Sequence, residues 1–535
     1  MTQQHWDVIV VGGGNAGYSS AIAAKQAGAG RVLLIEKSTE TSYPGGNSYF
    51  TAGAFRTVFG GLDDLLPILH NVDTETAKII DMDPYTTQDF MNDLMRVTAG
   101  RADPDLANVL VNTSRETIDW LDKVGIKFRL SFNRQAYKVE GRYKFWGGMV
   151  LSVVDGGKGL IQQYHESALR HDVTVQYGTS LTGLVTDPES NRVQGVQVLL
   201  QQADGSCIKK ILTSDAVILT CGGFEANPSM RAQYLGKNWD LAHVRGTPYN
   251  TGDGLVIAQR DVYAKTAGGY SSCHATCWDA NTNPHKGDTI MTNQFTKSGY
   301  PLGIMVNRDG KRFVDEGMDF RNYTYAFFGK EIMNQPGSVA FQIWDAKTLS
   351  WLREEEYADD VVEKVVANSI EELAEKLATP NQKGSWKATL TSKQALVDTI
   401  REYNDAVVAH LDQHPNRKWD PAVKDGMSTQ SEKKQLKLPK SNWALTIDQA
   451  PFVAVKITTG ITFTFGGLGV DPETAAVLDT ASQPIGNLYA AGEIVGGAFY
   501  ENYPGGSGLM LGSILGRKAG TSAAKISAAQ NESRR

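Results

Sequence analysis

The N-terminal residues carry the feature that most restricts the fold of this chain: a strand, a glycine-rich loop, a helix and a second strand in close succession. Residues 6–11 are a short apolar run rich in β-branched side chains, which predicts a buried parallel strand. The glycine-rich run 12–17 follows, then an alanine-rich helix up to Gly28 and a second strand over 31–35 that leads to Glu36. This order is typical of a dinucleotide-binding α/β unit.

The positions within the loop have distinct physical tasks. Gly12 permits the tight turn, Gly14 lets the backbone approach a pyrophosphate, and Gly17 lets the helix pack against the strand. The helix N-terminus offers unpaired amides and the positive end of a dipole to phosphates. Glu36 is placed to accept hydrogen bonds from both ribose hydroxyls and would repel a 2′-phosphate, which argues against NADP. The motif alone leaves FAD and NAD open. The predicted nucleotide contacts of this unit are Gly12, Gly14, Asn15, Ala16, Gly17, Glu36 and Lys37.

A second group of glycine-rich segments lies far from the first along the chain. Residues 486–493 indicate a short strand followed by Gly492 and Glu493, and residues 505–509 open a helix that runs to about residue 524. A loop of small residues at a helix N-terminus suits the electron-rich edge of a ring, since the dipole stabilises negative charge. An ordinary turn would explain the glycines before this helix, but not the preceding strand with its glycine and glutamate.

Two further motifs lie between these ends. Residues 216–223 form a predicted buried strand that ends in Gly222 and Gly223. Residues 251–254 place Asp253 close to the start of another helix. Glycines at such strand and helix ends indicate backbone packed closely against a ligand.

The size and charge of the chain limit the classes of function. At 535 residues it is too long for one hydrophobic core, so roughly two to four domain-sized units are expected. Its 41% hydrophobic and 21% charged residues are typical of a globular enzyme and exclude a disordered protein. A net charge of −6 argues against nucleic acid as a partner, because phosphate binding needs a basic surface.

The cysteines and the hydropathy pattern indicate a reduced, cytoplasmic protein. Four cysteines in a chain of this length do not make a disulfide framework. Cys273 and Cys277 flank His274, but their spacing fits neither haem attachment nor a zinc site, so no metal is predicted. No apolar run reaches the ~20 residues that span a bilayer. Strand-like residues begin too early in the chain for a signal peptide, so none is expected.

Taken together, these segments resemble the fumarate reductase/succinate dehydrogenase flavoprotein family over nearly the whole chain. The resemblance rests on the N-terminal fingerprint and on further motifs in the expected order, at residues 45–48, 221–224, 251–254, 306–313 and 488–493. It implies an α/β fold in which a Rossmann-like FAD-binding domain, with a parallel sheet that is discontinuous in sequence, carries an inserted α+β capping domain. The implied FAD-binding domain covers residues 1–266 and 450–535, and the cap covers 267–449.

The resemblance also implies FAD as the cofactor and a set of residues that hold it. Covalent flavin attachment in the family uses a histidine shortly before the Gly-Gly-Asn-Ser motif. This chain has Ser42-Tyr43-Pro44 there, so FAD is expected to be bound non-covalently. Besides the contacts of the first βαβ unit, the implied FAD contacts are Gly45, Gly46, Asn47, Ser48, Ala52, Gly53, Gly222, Gly223, Asp253, Glu493, Gly508 and Leu509.

The substrate positions of the family are altered in this chain. Arg321 falls one position from the family's proton-donating arginine, and could instead form a surface ion pair near Asp319. Thr462 stands where the family has a histidine, and Tyr503 where it has an arginine, both of which grip substrate carboxylates in the family. His274 is a further candidate, with a buried, hydrogen-bonded histidine as the alternative. The Tyr-Pro-Gly-Gly sequence at 503–506 is similar to two groups. The tricarballylate dehydrogenase group is the closer, over residues 245–254, 272–275, 298–301, 319–325 and 500–504, and the other is the ketosteroid 1-dehydrogenase group.

This resemblance favours an FAD-dependent dehydrogenase that introduces a C=C bond beside a carboxylate of a small, tricarballylate-like polycarboxylic acid, by hydride transfer to flavin N5. Arg321 and Tyr503 are the predicted acid/base pair. The predicted substrate contacts are His274, Lys297, Tyr300 and Thr462. The chain has no haem motif and no iron–sulfur cysteine set, so a separate redox protein, a quinone system or oxygen is expected to accept the electrons.

Three alternatives remain open. One is a desaturase or reductase of a bulkier carbonyl compound, such as a 3-ketosteroid or a secondary metabolite. Another is an enoate reductase similar to fumarate reductase. The third is a non-catalytic binding protein on a flavoprotein fold, which the 45–48 loop and Glu493 oppose because a binding module needs no flavin-facing loop.

Within the cap, the sequence predicts two helices and two charged surfaces. Apolar periodicity predicts helices at 370–377 and 392–411. The acidic residues 354–356 and 359–360 are expected to be a solvated helix face. The lysines at 433, 434, 437 and 440 are expected to lie in a solvated loop, with an anionic docking surface as the alternative.

Overall fold

A computed structural model of the protein describes residues 5–291, 293–380 and 389–534. The chain forms two compact units. The first unit comprises Met1–Leu235, Gly246–Cys273 and Phe463–Arg535, and the second comprises Gly236–Arg245 and His274–Thr462. The sequence-based boundaries at 266/267 and 449/450 fall earlier in the chain than the corresponding crossings, and they assign the short stretch 236–245 to the other domain.

The described part of the chain contains both strands and helices. The strands are β1 (His5–Val11), β2 (Val32–Ile35), β3 (Ala54–Phe55), β4 (Ile80–Met82), β5 (Phe128–Leu130), β6 (Ala136–Val139), β7 (Arg142–Phe145), β8 (Leu151–Val153), β9 (Thr174–Gln176), β10 (Thr179–Thr186), β11 (Val193–Gln201), β12 (Cys207–Leu219), β13 (His243–Val244), β14 (Thr266–Asp279), β15 (Ile304–Asn307), β16 (Ala340–Trp344), β17 (Lys364–Ala367), β18 (Phe452–Leu468), β19 (Ala476–Leu478) and β20 (Pro484–Ala490). The α-helices are α1 (Asn15–Gln26), α2 (Leu62–Leu65), α3 (Thr74–Ala77), α4 (Thr87–Val97), α5 (Pro104–Val124), α6 (Phe132–Gln135), α7 (Gly156–Arg170), α8 (Pro228–Tyr234), α9 (Asp253–Val262), α10 (Tyr325–Met333), α11 (Glu354–Tyr357), α12 (Ile370–Ala378), α13 (Lys393–Gln413) and α14 (Ser507–Arg534).

The first unit is built on an eight-stranded sheet whose centre is parallel. β1 pairs in parallel with β12 and β2, β2 with β9, and β12 with β20. The registers Val11↔Leu219 and Val11↔Ile35 bring the carboxyl ends of three strands to one edge, where nucleotides bind in doubly wound sheets. β20 follows the inserted unit in sequence, so the predicted discontinuous Rossmann-like domain is confirmed.

Helices α1 and α14 pack closely because α14 presents glycines to α1. A Cβ atom at Gly516 would lie 2.7 Å from the backbone oxygen of Ala16, and one at Gly520 would lie 2.2 Å from that of Ser20. Close packing leaves no room for a methyl group at such distances. The C-terminal helix is therefore held against the first helix of the fingerprint.

The second unit holds helices on a predominantly antiparallel sheet. The strand order is β13-β18-β16-β15, and β14 and β17 also pair with β18. Alternate side chains of β16 face opposite sides: Phe341 packs with residues of α12 and α13, and Trp344 packs with residues of α10. This arrangement confirms the predicted α+β capping domain, and the helices predicted at 370–377 and 392–411 correspond to α12 and α13.

Two charged segments that the sequence predicts to be solvated each contain a buried residue. Glu356 on α11 is fully buried, and its Oε2 accepts the backbone N–H and the hydroxyl of Ser298 at 2.9 and 2.6 Å. Lys440 is also buried, and its Nζ donates to the backbone oxygens of Pro301 and Gly303 at 2.8 and 2.6 Å. Burial lowers the pKa of Lys440 to about 8. The prediction is wrong for Glu356 and Lys440 because their hydrogen-bond partners are remote in sequence.

The described residues also bear on membrane and metal sites. None of the helices in these stretches combines the length and apolar character that crossing a bilayer requires. Across the same ranges, no group of three or more His, Cys, Asp or Glu side chains is placed to hold a metal ion. All four cysteines are free thiols, and the pair that flanks His274 is buried on β14.

Candidate functional site

The glycine-rich loop after β1 turns tightly into helix α1. Gly12 has a positive φ of 112°, and a Cβ atom there would lie 2.4 Å from the backbone oxygen of Thr220. A Cβ atom at Gly17 would lie 1.9 Å from the oxygen of Gly12. Helix α1 begins at Asn15, and its N-cap residue, Gly14, brings no side chain to the first amides. The loop therefore presents a helix N-terminus to a ligand.

Glu36 and Lys37, at the end of β2, take part in two separate polar contacts. Oε2 of Glu36 accepts the backbone N–H of Gly13 at 2.6 Å, and Oε1 accepts that of Ser38 at 2.8 Å. A carboxylate oxygen can accept more than one hydrogen bond, so ribose hydroxyls can still donate to Glu36. Nζ of Lys37 lies 2.6 Å from Oδ2 of Asp253. The structure thus pairs two further residues that the sequence selects for the cofactor.

Residues 45–48 form a tight loop that is fixed to α1. Gly45 and Gly46 have positive φ angles of 78° and 53°. Oγ of Ser48 accepts the backbone N–H of Asn15 at 3.0 Å, and Nδ2 of Asn15 donates to the backbone oxygen of Leu509 at 2.8 Å. Asn15 therefore joins the fingerprint, the 45–48 loop and the start of α14, which are three of the segments predicted to bind FAD.

Close backbone packing marks the other predicted FAD residues of the first unit. Gly53, which follows Ala52, has a positive φ of 64°, and a Cβ atom there would lie 2.7 Å from the carbonyl carbon of Gly156. Gly508 lies in the first turn of α14, where a Cβ atom would lie 3.3 Å from the ring of Phe463. Gly53 therefore lets its segment pack against the start of α7, and Gly508 lets the start of α14 pack against β18.

A buried glutamate, Glu225, and a partly buried one, Glu493, lie beside the Gly222-Gly223 turn. A Cβ atom at Gly223 would lie 2.3 Å from Oε1 of Glu493. Nδ2 of Asn250 donates to Oε1 of Glu225 at 2.6 Å and lies 3.5 Å from Oε2 of Glu493. Burial, and then the adjacent Glu493, raise the pKa of Glu225 well above its usual range, and burial also raises the pKa of Glu493.

Sequence reasoning missed Glu225 and Asn250, although a signal for each was present. Glu225 follows directly on the Gly-Gly-Phe motif at 222–224, and Asn250 directly precedes the Thr-Gly-Asp-Gly motif. The amide of Asn47 in the 45–48 loop also donates to Oε1 of Glu225. Glu225 therefore connects two segments that the sequence had already assigned to the cofactor.

The first unit has the groups that an FAD molecule requires. The N-terminus of α1 suits a pyrophosphate, and the Glu36 carboxylate suits a ribose. At the N-terminus of α14, the hydroxyl of Ser507 is fully buried and has no hydrogen-bond partner among the described residues. A buried polar group in this state is expected where a ligand supplies the missing partner.

Tyr503 stands in an aromatic cluster of the first unit. Its ring centroid lies 5.6 Å from that of Phe463, 6.0 Å from that of Phe465 and 5.5 Å from that of Phe499. Its backbone N–H donates to Oδ1 of Asn502 at 2.8 Å. Apolar surroundings lower the local dielectric and strengthen the hydrogen bonds that a phenol makes.

His274 and Thr462 lie in the second unit together with Arg245, which sequence reasoning missed. Nη1 of Arg245 donates to Oγ1 of Thr462 at 3.3 Å, and Nη2 donates to Oδ1 of Asn293 at 2.7 Å. The guanidinium carbon lies 5.4 Å from the ring centroid of Trp278. Burial, and then the charge of Arg245, lower the pKa of His274 to about 3, so its imidazole is neutral at pH 7.

We refer to Arg245, His274 and Thr462 as the substrate cluster. The three residues occupy similar positions along the chain. Each is the first or last residue of a second-unit segment, at a point where the chain passes from one unit to the other. Arg245 also heads the segment 245–254, one of the stretches similar to the tricarballylate dehydrogenase group, which was the available signal for it. The cluster combines a cation, a neutral imidazole and a hydroxyl.

Lys297 and Tyr300 have internal partners in the second unit. Nζ of Lys297 donates to the backbone oxygens of Gln294 and Glu356, both at 2.7 Å. Burial lowers the pKa of Lys297 to about 8. The hydroxyl of Tyr300 lies 2.8 Å from that of Thr324, and the Tyr300 side chain is fully buried. These contacts argue against the predicted substrate role of both residues, because their polar groups are directed at the protein itself.

The predicted acid/base pair is divided between the units. Arg321 begins the 3-10 helix Arg321–Tyr323 of the second unit, whereas Tyr503 belongs to the first. Asp319, considered from the sequence as an ion-pair partner of Arg321, forms a salt bridge of 3.1 Å with Lys424. The backbone oxygen of Arg321 accepts the N–H of Thr324 at 3.1 Å. The catalytic roles of Arg321 and Tyr503 remain predictions.

The parallel sheet, the fingerprint loop and the paired loops from both ends of the chain define a flavin-dependent oxidoreductase. A family model described as an FAD binding domain matches residues 7–509, and the chain belongs to this family. The predictions of an FAD cofactor and of an FAD-dependent oxidoreductase acting on CH–CH groups are confirmed.

Known relatives share similarity over almost the whole chain. The fumarate reductase (cytochrome) of Shewanella frigidimarina is 27% identical over 521 residues, which are 97% of this chain and 77% of that protein. The 4-oxocyclohexanecarboxylate 2-dehydrogenase of Sinomonas cyclohexanicum is 26% identical over 570 residues, with coverages of 95% and 91%. The crystal structure of 3-ketosteroid delta1-dehydrogenase from Sterolibacterium denitrificans has a TM-score of 0.69 at 19% identity, and covers 98% of this chain and 100% of that one. The predicted resemblance to fumarate reductases is confirmed at this level.

Proposed function

We propose that the protein is an FAD-dependent dehydrogenase that introduces a C=C bond next to a carboxylate of a small polycarboxylic acid, similar to tricarballylate. The observation that carries the proposal is the substrate cluster, in which Arg245 lies beside Thr462, and burial and then the charge of Arg245 lower the pKa of His274. This cluster supplies a cation. In the family, two residues that bind substrate carboxylates stand at the positions that Thr462 and Tyr503 occupy in this chain. On this proposal the enzyme is nearer to the tricarballylate dehydrogenase group than to fumarate reductases.

The chemistry of the cluster favours a carboxylate as its ligand. A guanidinium binds a carboxylate through a bidentate pair of charge-assisted hydrogen bonds. Arg245 also donates to the neutral acceptors Asn293 and Thr462, which hold its guanidinium in place. A neutral His274 adds a hydrogen-bond donor without a second charge. Consistent with this, one relative at 26% identity is named for a carboxylate-bearing substrate.

In the proposed reaction, a CH–CH bond beside the carboxylate loses a proton and a hydride. FAD, when bound, supplies the two-electron acceptor for the hydride. Tyr503 is proposed to hold or move the proton at its phenolic oxygen, and the rings of Phe463 and Phe499 pack against its own ring. Arg321 is proposed as the second member of the acid/base pair. The electrons then pass to a separate redox protein, a quinone system or oxygen.

A second candidate is the dehydrogenation of a bulkier carbonyl compound, such as a 3-ketosteroid. The specific observation in its favour is the group of three phenylalanine rings around Tyr503, an environment that suits an apolar ring system. In this case the phenol of Tyr503 would donate to a ketone oxygen in place of a carboxylate. Arg245 would then have no substrate charge to bind.

Anaerobic absorption spectroscopy of the yellow holoenzyme distinguishes the candidates. Tricarballylate, succinate and a 3-ketosteroid are added separately, and loss of the oxidised flavin band reports reduction. Bleaching by tricarballylate alone is the expected result. Bleaching by the ketosteroid alone would overturn the acid dehydrogenase in favour of the second candidate. If none of the three bleaches a flavin that dithionite does reduce, both substrate assignments fail.

A further inference from the structure

Glu225, which is fully buried, and Glu493, which is partly buried, form a carboxyl pair that the proposed reaction does not use. Glu225 is fully buried, and its Oε1 receives the amides of Asn47 and Asn250. Its Oε2 is also buried, but no hydrogen-bond donor reaches that atom among the described residues. Oε1 of Glu493 accepts the backbone N–H and the hydroxyl of Thr464 at 2.8 and 3.1 Å.

The side-chain and backbone groups that donate to the two carboxyl groups within the described residues are neutral. Asn47, Asn250 and Thr464 are neutral donors. The guanidinium of Arg231 is buried nearby and donates to the backbone oxygen of Glu225. Two ionised carboxylates in this position would repel each other and leave Oε2 of Glu225 unsatisfied. A proton held between the two groups removes one charge and supplies the missing hydrogen bond.

We propose that Glu225 and Glu493 share one proton, and that the protonated pair is a positioning device for the FAD site. Through Asn47, Glu225 holds the 45–48 loop, and Glu493 lies against Gly223 of the opposite loop. Loss of the shared proton puts two carboxylates side by side, and their repulsion pushes these loops apart. This inference rests on the proposed FAD contacts of Asn47 and Glu493, and not on the identity of the substrate.

The pH dependence has a defined sign. Burial raises the pKa of both groups, so the folded protein holds the shared proton at a pH where the unfolded chain has lost it. The stabilisation is fully present below the ordinary glutamate pKa and is lost as the pH rises through the raised value. If only the protonated pair binds FAD, the dissociation constant of FAD rises above that pH by up to about tenfold per pH unit.

The Glu225→Gln variant distinguishes between a shared proton and a purely structural contact. Its amide oxygen can still accept from Asn47, and its NH₂ group can donate to Glu493 at any pH. We expect the wild-type holoenzyme, dialysed against defined FAD concentrations at increasing pH, to lose FAD in the alkaline range. The Glu225→Gln holoenzyme is expected to retain FAD with little pH dependence. Glu75→Gln, an exposed carboxylate of the same unit, is the matched control and should follow the wild type.

Infrared spectroscopy gives an independent measurement on the wild-type holoenzyme. A protonated carboxylic acid has a carbonyl stretch that a carboxylate lacks, and the wild type at pH 7 should show one that disappears in Glu225→Gln. If Glu225→Gln loses FAD with the same alkaline profile as the wild type, the shared proton is refuted. If Glu225→Gln does not fold, the absence of a protonated carboxylic acid band in the wild type at pH 7 refutes it equally.

Discussion

Replacing Gly17 by alanine puts a methyl group into the turn that closes the nucleotide-binding loop. The new Cβ atom would lie 1.9 Å from the backbone oxygen of Gly12 and 2.9 Å from Oγ1 of Thr220. Neither neighbour can swing aside easily, because one is backbone and the other donates to the backbone oxygens of Val11 and Gly12, both at 2.9 Å. The strain is therefore relieved only when the start of α1 moves away from β1.

The size of the effect follows from this clash. Forcing an extra methyl group into a well-packed site costs about 1–3 kcal/mol. FAD binding needs the amides at the start of α1 in their native place, so this amount is subtracted from the free energy of binding. The dissociation constant of FAD should then rise about 5- to 150-fold. Equilibrium dialysis of the holoenzyme, with flavin fluorescence as the readout, measures it directly.

Gly60→Ala is the matched control for this substitution. Gly60 belongs to the same unit, is exposed, and has no heavy atom within 4 Å of a Cβ atom built there. Its alanine variant should bind FAD with an affinity within about twofold of the wild type. If Gly17→Ala also binds FAD within that range, close contact between the loop and α1 is not what shapes the phosphate site.

Three further substitutions test the second unit. Arg245→Gln should raise the KM for a carboxylate substrate about 10- to 150-fold, the worth of a hydrogen bond between charged groups, whereas Arg401→Gln on the exposed face of α13 should leave KM unchanged. Lys297→Met should lower the free energy of unfolding by about 1–3 kcal/mol in urea titrations without a change in KM, because it strips a donor from buried carbonyl groups; a selective rise in KM would restore its predicted substrate role. His274 has a pKa lowered from 6.5 to about 3, so the unfolded chain binds a proton that the folded protein does not, and stability falls as the pH drops below 6.5. His274→Gln should flatten that acid loss in thermal scans, and an unchanged loss would contradict a buried neutral imidazole.

Local patterns in the sequence were sufficient to predict the elements that surround the flavin site. The fingerprint predicts β1, α1 and β2, because a strand, a glycine turn and a helix each leave a short-range signal. The glycine turn at 222–223 and the strand before Glu493 are recognised in the same way. Their meeting in one sheet, with β20 beside β12, is not a local property, and it came from the resemblance to a family.

Contacts between charged residues and partners far away in the sequence could not be predicted from local patterns. A charged residue is expected at the surface unless a partner is known, and the partners here are distant: Glu356 is 58 residues from Ser298, and Lys440 is 139 residues from Pro301. The same limit hid Glu225, whose amide donor Asn47 is 178 residues away. The sequence did not identify Arg245 for a different reason, because only the fold places it beside Thr462, which lies 217 residues later in the chain.

The partners of a charged residue help to separate residues that hold the fold from residues that form a site. Lys297 and Lys440 direct their ammonium groups at backbone oxygens of their own unit, which satisfies the charge and fixes loops. Arg245 instead donates to the side chains of Asn293 and Thr462, and Glu225 lies beside a second carboxyl group. Stability alone does not explain the placement of Glu225, because two adjacent carboxylates repel each other. A substrate carboxylate is the proposed ligand of Arg245, and a shared proton is the proposed state of Glu225, so these two residues are where the function of this flavoprotein should be tested first.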